Sequence, residues 1–319
     1  MNVSSDRVLK LGTRGSALAL WQSNWVASQL RELGFAVEMV EISTQGDVRS
    51  GPIGAIGSQG VFTKEIQRAL LDEEVDFAVH SLKDLPTEEI PGLCLTCVPP
   101  RERVGDVLVS NTISSFDGIA EGAVIGTGSM RRKAQLLNQR PDLKVKDIRG
   151  NVDTRLQKLD DGQYDAIILA ESGLKRLGLD ERINHVIDQA VMIPAVGQGA
   201  LGLECRAQDS EVRDILNQLN DPESFIPITA ERAMLRALRA GCLAPVGAFA
   251  EIIEGRLRLQ GVVLSGTGSQ RVDAESEVLL AQLSESQQVE AADELGRAVA
   301  EDLIAQGATG LIAEARENA

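Results

Sequence analysis

The chain has 319 residues, of which 43% are hydrophobic and 25% charged, and its 32 Lys and Arg stand against 47 Asp and Glu for a formal net charge of −15. A chain of this length buries substantial cores in about two or three domains, and its composition excludes a disordered protein or a small disulfide framework. The acidic balance, with only six Phe, two Trp and one Tyr, argues against nucleic acid as partner, which calls for a basic footprint and often for aromatic stacking platforms.

Residues 1–10 contain no apolar signal core, and nowhere does an apolar run reach membrane-spanning length; a cytoplasmic location without membrane contact is the expectation. Apolar runs at 8–11 and 36–42 flank a stretch of helical periodicity over 17–33 that Gly34 closes. A glycine-rich stretch at 46–60 precedes a helix at 63–71 and a strand at 75–80. This is the grammar of βαβ units with parallel strands. The carboxyl end of the 75–80 strand delivers His80-Ser81-Leu82-Lys83-Asp84 into a loop closed by Pro86, and ligands of open α/β sheets bind at such strand ends.

Pro99-Pro100 marks a crossover, after which a second α/β unit begins. Its expected strands lie at 107–110, 123–125, 144–148 and 164–169, with helices at 131–138 and 152–159. Its turn Gly126-Thr127-Gly128-Ser129 echoes Gly12-Thr13-Arg14-Gly15-Ser16 in the first unit. Two such domains facing each other would bring both helix N-termini to one cleft. The segment 193–200 reads as the return to the first domain and 201–205 as a strand of it. Asn220-Asp221-Pro222 reads as a further boundary, and Thr229 as the N-cap of a helix that runs to Ala240 and stops at Gly241. Strands at 247–253, 257–264 and 272–278 and a helix at 284–306 complete a smaller α+β domain. The resulting division is 1–99 with 200–218, then 105–193, then 222–319.

Between Gly126 and Arg155, eight Lys and Arg face three Asp, a local charge of +5 in an acidic protein. Guanidinium forks behind a helix-leading turn suit carboxylates or phosphates, because they pair bidentately and the helix end adds N–H donors. The alternative is a solvated helix face with ordinary ion pairs. Arg131 and Arg132 open that helix, where its dipole disfavours cations, which favours the anion-binding reading.

Four cysteines are too scattered for a disulfide framework and are expected as free thiols. Cys94 and Cys97 form a C-x-x-C with no second pair or suitably spaced His, so no metal site is expected. Cys242 occupies a short loop and is the most exposed thiol candidate. Lys83 and Asp84 are a cation and a carboxylate able to hold an anionic substrate and stabilise developing positive charge, or else a surface ion pair. His80 fits core packing better than catalysis, and neither a P-loop nor a strand-bound G-x-G-x-x-G occurs.

Six segments in chain order carry a resemblance that no one of them would establish. They are Thr13-Arg14-Gly15-Ser16-Ala17-Leu18-Ala19-Leu20-Trp21-Gln22, Ala78-Val79-His80-Ser81-Leu82-Lys83-Asp84-Leu85-Pro86, the turn at 126–132, Arg149-Gly150-Asn151-Val152-Asp153-Thr154-Arg155, the segment 194–200, and Thr229-Ala230-Glu231-Arg232 with Gly241-Cys242. Together the chain resembles the porphobilinogen deaminases. The resemblance implies two periplasmic-binding-protein-like α/β domains around a hinged cleft plus a smaller α+β third domain. It implies a transferase that joins four porphobilinogen units head to tail on a covalent dipyrromethane primer and releases hydroxymethylbilane by hydrolysis. By match to the family motifs, Cys242 would carry the dipyrromethane through a thioether, and Lys83, Ser81, Thr127, Ser129, Arg131 and Arg132 would hold its carboxylates. Arg14, Ser16, Arg149, Arg155 and Arg176 would take porphobilinogen and the growing polypyrrole, and Asp84 would be the catalytic carboxylate.

The sequence departs from that pattern in places. Gly57-Ser58-Gln59-Gly60 lacks the lysine many relatives carry, Ala55 also lacks a cation, and Gly128 replaces a frequent serine. The rival reading is a two-lobed anion- or solute-binding protein without catalysis, against which the placement of Cys242 speaks. A monomer is the expected state, since no long apolar surface helix demands a partner.

Overall fold

A computed structural model describes residues 7–43, 63–241 and 244–317. The described chain divides into two compact units, one of residues 1–101 with 200–225 and one of residues 102–199 with 226–319.

In the first unit, β1 (Val8–Thr13) alternates until Leu9 and Leu11 are fully buried, and it pairs in parallel with β2 (Ala36–Glu41) and β3 (Phe77–Ser81). Helix α1 (Ala17–Glu32) connects β1 to β2 and lays Val26, Ala27 and Leu30 against Phe77, Leu203 and Cys205. Gly34, at φ 93°, ends that connection in the left-handed region where a side chain is strained. Helix α2 (Lys64–Leu71) covers the opposite face, with Ile66 and Leu70 packed on Val75 and Ala78. The edge strand β4 (Leu93–Cys97) is reached only through the returning strand, β10 (Leu201–Arg206), which lies antiparallel between β3 and β4. Helix α6 (Ser210–Leu216) then packs Val212, Ile215 and Leu216 into the same core as α1.

The second unit opens with a sheet of the same plan. Strands β6 (Val124–Gly126), β7 (Lys144–Lys146) and β8 (Ala166–Ala170) are parallel, and β5 (Asp106–Val109) runs antiparallel beside β8, with the two-residue β9 (His185–Val186) at the edge. The orders β2-β1-β3-β10-β4 and β7-β6-β8-β5-β9 correspond strand for strand. In each, the fourth position is filled by the strand with which the chain enters from the other unit. Helix α3 (Met130–Gln139) covers one face through Leu136. The other face takes Leu156 and Leu159 of α4 (Val152–Asp160) and Leu174 of α5 (Glu171–Arg176).

A third sheet is a simple antiparallel meander of β11 (Val246–Ile253), β12 (Arg256–Leu264) and β13 (Arg271–Leu279). Three helices cover it: α7 (Pro222–Ala237), whose body belongs to this unit, α8 (Glu285–Ala305) and α9 (Ala308–Glu317). Val262 and Leu264 of β12 share a small core with Ala134 of α3 and Ile193, so this sheet and the second α/β sheet belong to one unit.

Two sequence expectations are corrected. The helix expected from Thr229 to Ala240 begins at Pro222, because proline is tolerated at a first helical position and the Asp221 carbonyl accepts from Phe225 N at 2.8 Å. Thr229 is therefore interior to the helix. Its end is not at Gly241 either: it stops at Ala237, and Arg239 is the left-handed residue, at φ 49°. Helix α9, set off by Gly307 at φ 101°, was not expected at all.

Candidate functional site

The site residues of the first unit gather where β1 and β3 end. Ser16 caps α1, its hydroxyl accepting from Ala19 N at 3.4 Å, and so sits at the positive end of that helix. Buried Thr13, the last residue of β1, is tied to the helix by Ser23, whose hydroxyl donates to Thr13 Oγ1 at 2.7 Å. Arg14 stands between them, half-buried. One turn into α1, buried Gln22 donates from Nε2 to Ser81 Oγ at 2.9 Å, and Ser81 donates back to Gln22 Oε1 at 3.1 Å.

Past Ser81 the chain makes a single tight turn, Leu82–Asp84, in which Leu85 N donates to Leu82 O at 3.1 Å. Leu82 and Leu85 are buried on either side, and Leu82 N also donates to Ala200 O at 3.0 Å. Anchoring at both ends leaves Lys83 half-buried and Asp84 exposed. Beneath the turn, His80 is in the core, as expected: its Nε2 lies 3.0 Å from Glu204 Oε2, and Gln67 Nε2 donates to Glu204 Oε1 at 3.0 Å. A buried carboxylate between two side chains fixes the strand end from which the Lys83-Asp84 turn springs.

In the second unit, the turn after β6 does what its sequence promised. Ser129 caps α3, accepting from Arg132 N at 3.4 Å, while Ser129 N donates to Thr127 Oγ1 at 3.2 Å and Thr127 N to Lys146 O at 3.0 Å. A Cβ on Gly128 would lie 2.8 Å from Ile148 O, so the glycine that replaces a frequent serine meets backbone, not open space.

Arg131 and Arg132 are not on a solvated face. Both are buried, and both reach Asp106 at the head of β5: Arg131 Nη1 donates to Oδ2 at 2.6 Å, Arg132 Nε to Oδ1 at 2.8 Å. Gln198 Nε2 adds a third donor at 3.0 Å. Burial opposes the charge on Asp106, yet the two guanidiniums and these hydrogen bonds hold its carboxyl well below the usual range. For Arg132, burial pulls the pKa down and Asp106 opposes it. Two cations share one carboxylate, so the pocketed group keeps a net positive charge, and Arg131 Nε is buried with no hydrogen-bond partner. Asp106 escaped the sequence reading, which began the strand at Val107. The signal was there: one Asp heading a wholly apolar strand, which cannot be buried unless it is paired.

The remaining arginines are spread along the same unit. Arg176 is buried and donates from Nη2 to Gly199 O at 2.6 Å; burial lowers its pKa to about 10, with Glu102 opposing. Gly199 is held at φ 85° with its Cβ position 2.3 Å from Glu102 O, a place only glycine fills. Arg149 pairs with Asp147 Oδ2 at 2.7 Å with both side chains exposed, and Arg155 Nε donates to Gly150 O at 2.8 Å. Lys158 Nζ, donating to Arg149 O at 3.0 Å, ties α4 back to that loop.

Thus Arg14, Ser16, Ser81, Lys83 and Asp84 share one sheet end of the first unit, while Thr127, Ser129, Arg131 and Arg132 cluster at the start of α3 in the second. Cys242 lies outside the described residues, as does the 46–60 stretch with Ala55 and Gln59. Cys94, Cys97 and Cys205 are free thiols. No described helix is long and apolar enough to cross a membrane.

Two α/β sheets of one plan, each with strand-end hydroxyls and arginines beside a helix N-terminus, plus a smaller antiparallel sheet, define the class: an α/β protein whose strand ends carry groups suited to anions. Residues 9–214 match the family model described as porphobilinogen deaminase, dipyromethane cofactor binding domain, and residues 225–305 match that of the porphobilinogen deaminase C-terminal domain. The chain belongs to the porphobilinogen deaminase family. It is a hydroxymethylbilane synthase of tetrapyrrole biosynthesis, a transferase that takes porphobilinogen as substrate and uses a dipyrromethane cofactor. Among solved structures it is similar to a putative methionine-binding lipoprotein from Bacillus subtilis, at 13% identity over 67% of this chain and 90% of the other, with a TM-score of 0.42. It is likewise similar to an ABC-transporter periplasmic substrate-binding protein from Coxiella burnetii, at 15% identity over 67% and 93% of the two chains, with a TM-score of 0.44.

Proposed function

We propose that Asp84 is the catalytic carboxylate of this synthase and that the remaining work is divided between the two strand-end clusters. The observation that carries this reading is the Leu82–Asp84 turn, which is anchored by buried leucines and by the Ser81–Gln22 pair yet leaves the Asp84 carboxylate exposed. Loss of ammonia from porphobilinogen and attack by a pyrrole carbon place positive charge on pyrrole nitrogen. An oriented carboxylate stabilises that charge and accepts the proton that leaves.

The residues of the second unit fit a multiply carboxylated group. Arg131 Nε is a buried donor with no acceptor, and the Arg131-Arg132-Asp106 cluster keeps a net positive charge at the start of α3. Thr127, Ser129, Arg131 and Arg132, with Ser81 and Lys83, would hold the dipyrromethane carboxylates, and Cys242 would form its thioether. When bound, that group supplies the pyrrole carbon that attacks the first substrate. Arg14, Ser16, Arg149, Arg155 and Arg176 would receive the substrate and growing-chain carboxylates. Asp106 and Gln198 position the two arginines.

The reading extends to three domains at 1–99 with 200–218, 105–193 and 222–319, each with one of the three sheets, and to a monomer in the cytoplasm that needs neither membrane nor nucleic acid. The net charge of −15 supports the last point. Intact-mass measurement tests the core of it. A covalent excess of two pyrrole rings is expected on the purified protein and absent in Cys242→Ser; a bare-chain mass together with no turnover of porphobilinogen would overturn it.

A further inference from the structure

The first unit holds three thiols that the deaminase chemistry leaves idle, and two of them, Cys94 and Cys205, lie side by side. Strands β4 and β10 pair antiparallel with Cys94 directly opposite Cys205, and the register shifts between Leu203 and Glu204, just beyond that pair. Thr96 stands at this irregularity with its Oγ1 3.1 Å from Cys94 Sγ and 3.1 Å from Cys205 Sγ. Directly opposed residues of an antiparallel ladder have Cα atoms roughly 4.5–5.5 Å apart, inside the range of about 4.4–6.8 Å that a disulfide spans. Cys94 is half-buried and reachable, whereas Cys205 is wholly buried beneath it.

We propose that Cys94 and Cys205 form a modification site of their own, a reactive dithiol that a small-molecule disulfide converts to a cross-strand disulfide between β4 and β10.

The two sulfurs differ in the way such a site requires. The hydrogen bond from Cys205 lowers the Cys94 pKa to about 6, helped by Thr96 and by Arg213 of α6 and opposed by burial and by Glu204. Cys205 is shifted upward by that same hydrogen bond and by burial. Cys94 is thus the more readily ionised of the two sulfurs and Cys205, whose thiol also donates to Arg206 O at 3.6 Å, the one that holds its proton. In the first step Cys94 Sγ attacks one sulfur of the small disulfide, whose S–S bond breaks and releases one thiolate, leaving a mixed disulfide on Cys94. In the second, Cys205 gives its proton to solvent or to the released thiolate, its sulfur attacks Cys94 Sγ, and the second small thiol departs. Two protein thiols are oxidised by two electrons as the small disulfide is reduced to two thiols. Cys97, on the same strand, is pushed up to about 12 by burial and serves as an internal reference.

The holoenzyme incubated with oxidised glutathione at neutral pH, quenched in acid, alkylated and peptide-mapped reads this out. A peptide joining Cys94 to Cys205 is expected, with Cys97 still alkylated as a thiol and the link reversed by dithiothreitol. In Cys205→Ser the reaction should stop at a glutathionyl group on Cys94, and in Cys94→Ser neither product should form. The wild-type result alone decides: two unmodified thiols, a lasting glutathionyl group on Cys94 without closure, or a link that uses Cys97 in place of Cys205 would each overturn the proposal.

Discussion

Asp106 and Arg131 meet at 2.6 Å with side chains only 0% and 5% exposed, in the cluster that Arg132 completes. Removing the charge of Asp106 leaves two buried guanidiniums facing each other. Asp106→Asn should therefore destabilise the protein by about 3–5 kcal/mol, the cost of an uncompensated buried charge, as read in urea unfolding. The pH dependence has a definite sign. The folded carboxyl is held below its unfolded value, so the unfolded chain binds the proton first. The stability that Asp106 provides is complete above about pH 4 and is lost as pH falls further, toward the depressed folded value. The gap between wild type and Asp106→Asn should hold constant from neutrality down to that point and then close; a gap that narrows between pH 7 and 5 would contradict the assignment.

Gln22 offers a separate test of how the Asp84 turn is held. Its amide and the Ser81 hydroxyl exchange hydrogen bonds at 2.9 and 3.1 Å on a buried face of α1. Gln22→Ala loses that bracket at a cost of about 1–2 kcal/mol. If the loss falls on the transition state, kcat/KM drops roughly 5- to 30-fold. Intact mass should still show the cofactor. Unchanged kcat/KM would mean that the turn is held without Gln22.

Asp84 itself is exposed, so its replacement should leave stability within about 0.5 kcal/mol of wild type. Asp84→Asn should keep the covalent cofactor and lose turnover by roughly 100- to 10,000-fold, the range for a positioned acid–base group. Wild-type rates in a correctly loaded variant would remove Asp84 from its role.

At Gly128 the structure predicts a cost for restoring the serine that many family members carry. The added Cβ would stand 2.8 Å from the Ile148 carbonyl and 3.1 Å from Asp147 Oδ1. Backbone there has to shift, and overpacking of this kind costs about 1–3 kcal/mol. Gly128→Ser should lower the melting temperature without a gain in turnover; a neutral melt would show that the Ile148 loop yields freely.

Much of this fold could be read from the chain, and the exceptions have physical reasons. The parallel cores announced themselves because Leu9, Leu11, Ile125 and Ile168 lie in short apolar runs between turn signals. The turns before α1 and α3 were equally plain, since Ser16 and Ser129 are cap residues in their usual place. Helix α7 was misplaced because Pro222 reads as a breaker in sequence although it is harmless at a first turn, and because Pro227 lies inside the helix. At the site, the residue types were legible and their pairing was not. Arg131 and Arg132 read as anion receptors, but nothing local to them reveals that Asp106, some 25 residues earlier in the chain, is their partner. Likewise Gln22 and Ser81 are 59 residues apart, and only the βα crossover brings them together.

Arg149 and Arg155 provide the sharpest distinction between a structural cation and one that handles the growing chain. The Arg149–Asp147 pair is exposed, with side chains 40% and 55% accessible, and exposed pairs contribute about 0–1 kcal/mol. Arg149→Leu and Arg155→Leu should therefore unfold at nearly the wild-type temperature. Each removes a cation that the proposed reading gives to substrate carboxylates, so elongation should stall and early enzyme-bound intermediates should accumulate in intact-mass spectra. Arg140→Leu is the control, because Arg140 lies in the same basic stretch but is engaged with Asp142 at 2.7 Å and has no proposed contact with substrate. An Arg140 variant that stalls as Arg149→Leu does would show that the total positive charge of the region matters and not the position of these side chains. A wild-type distribution of intermediates in both Arg149→Leu and Arg155→Leu would place them outside the substrate's path.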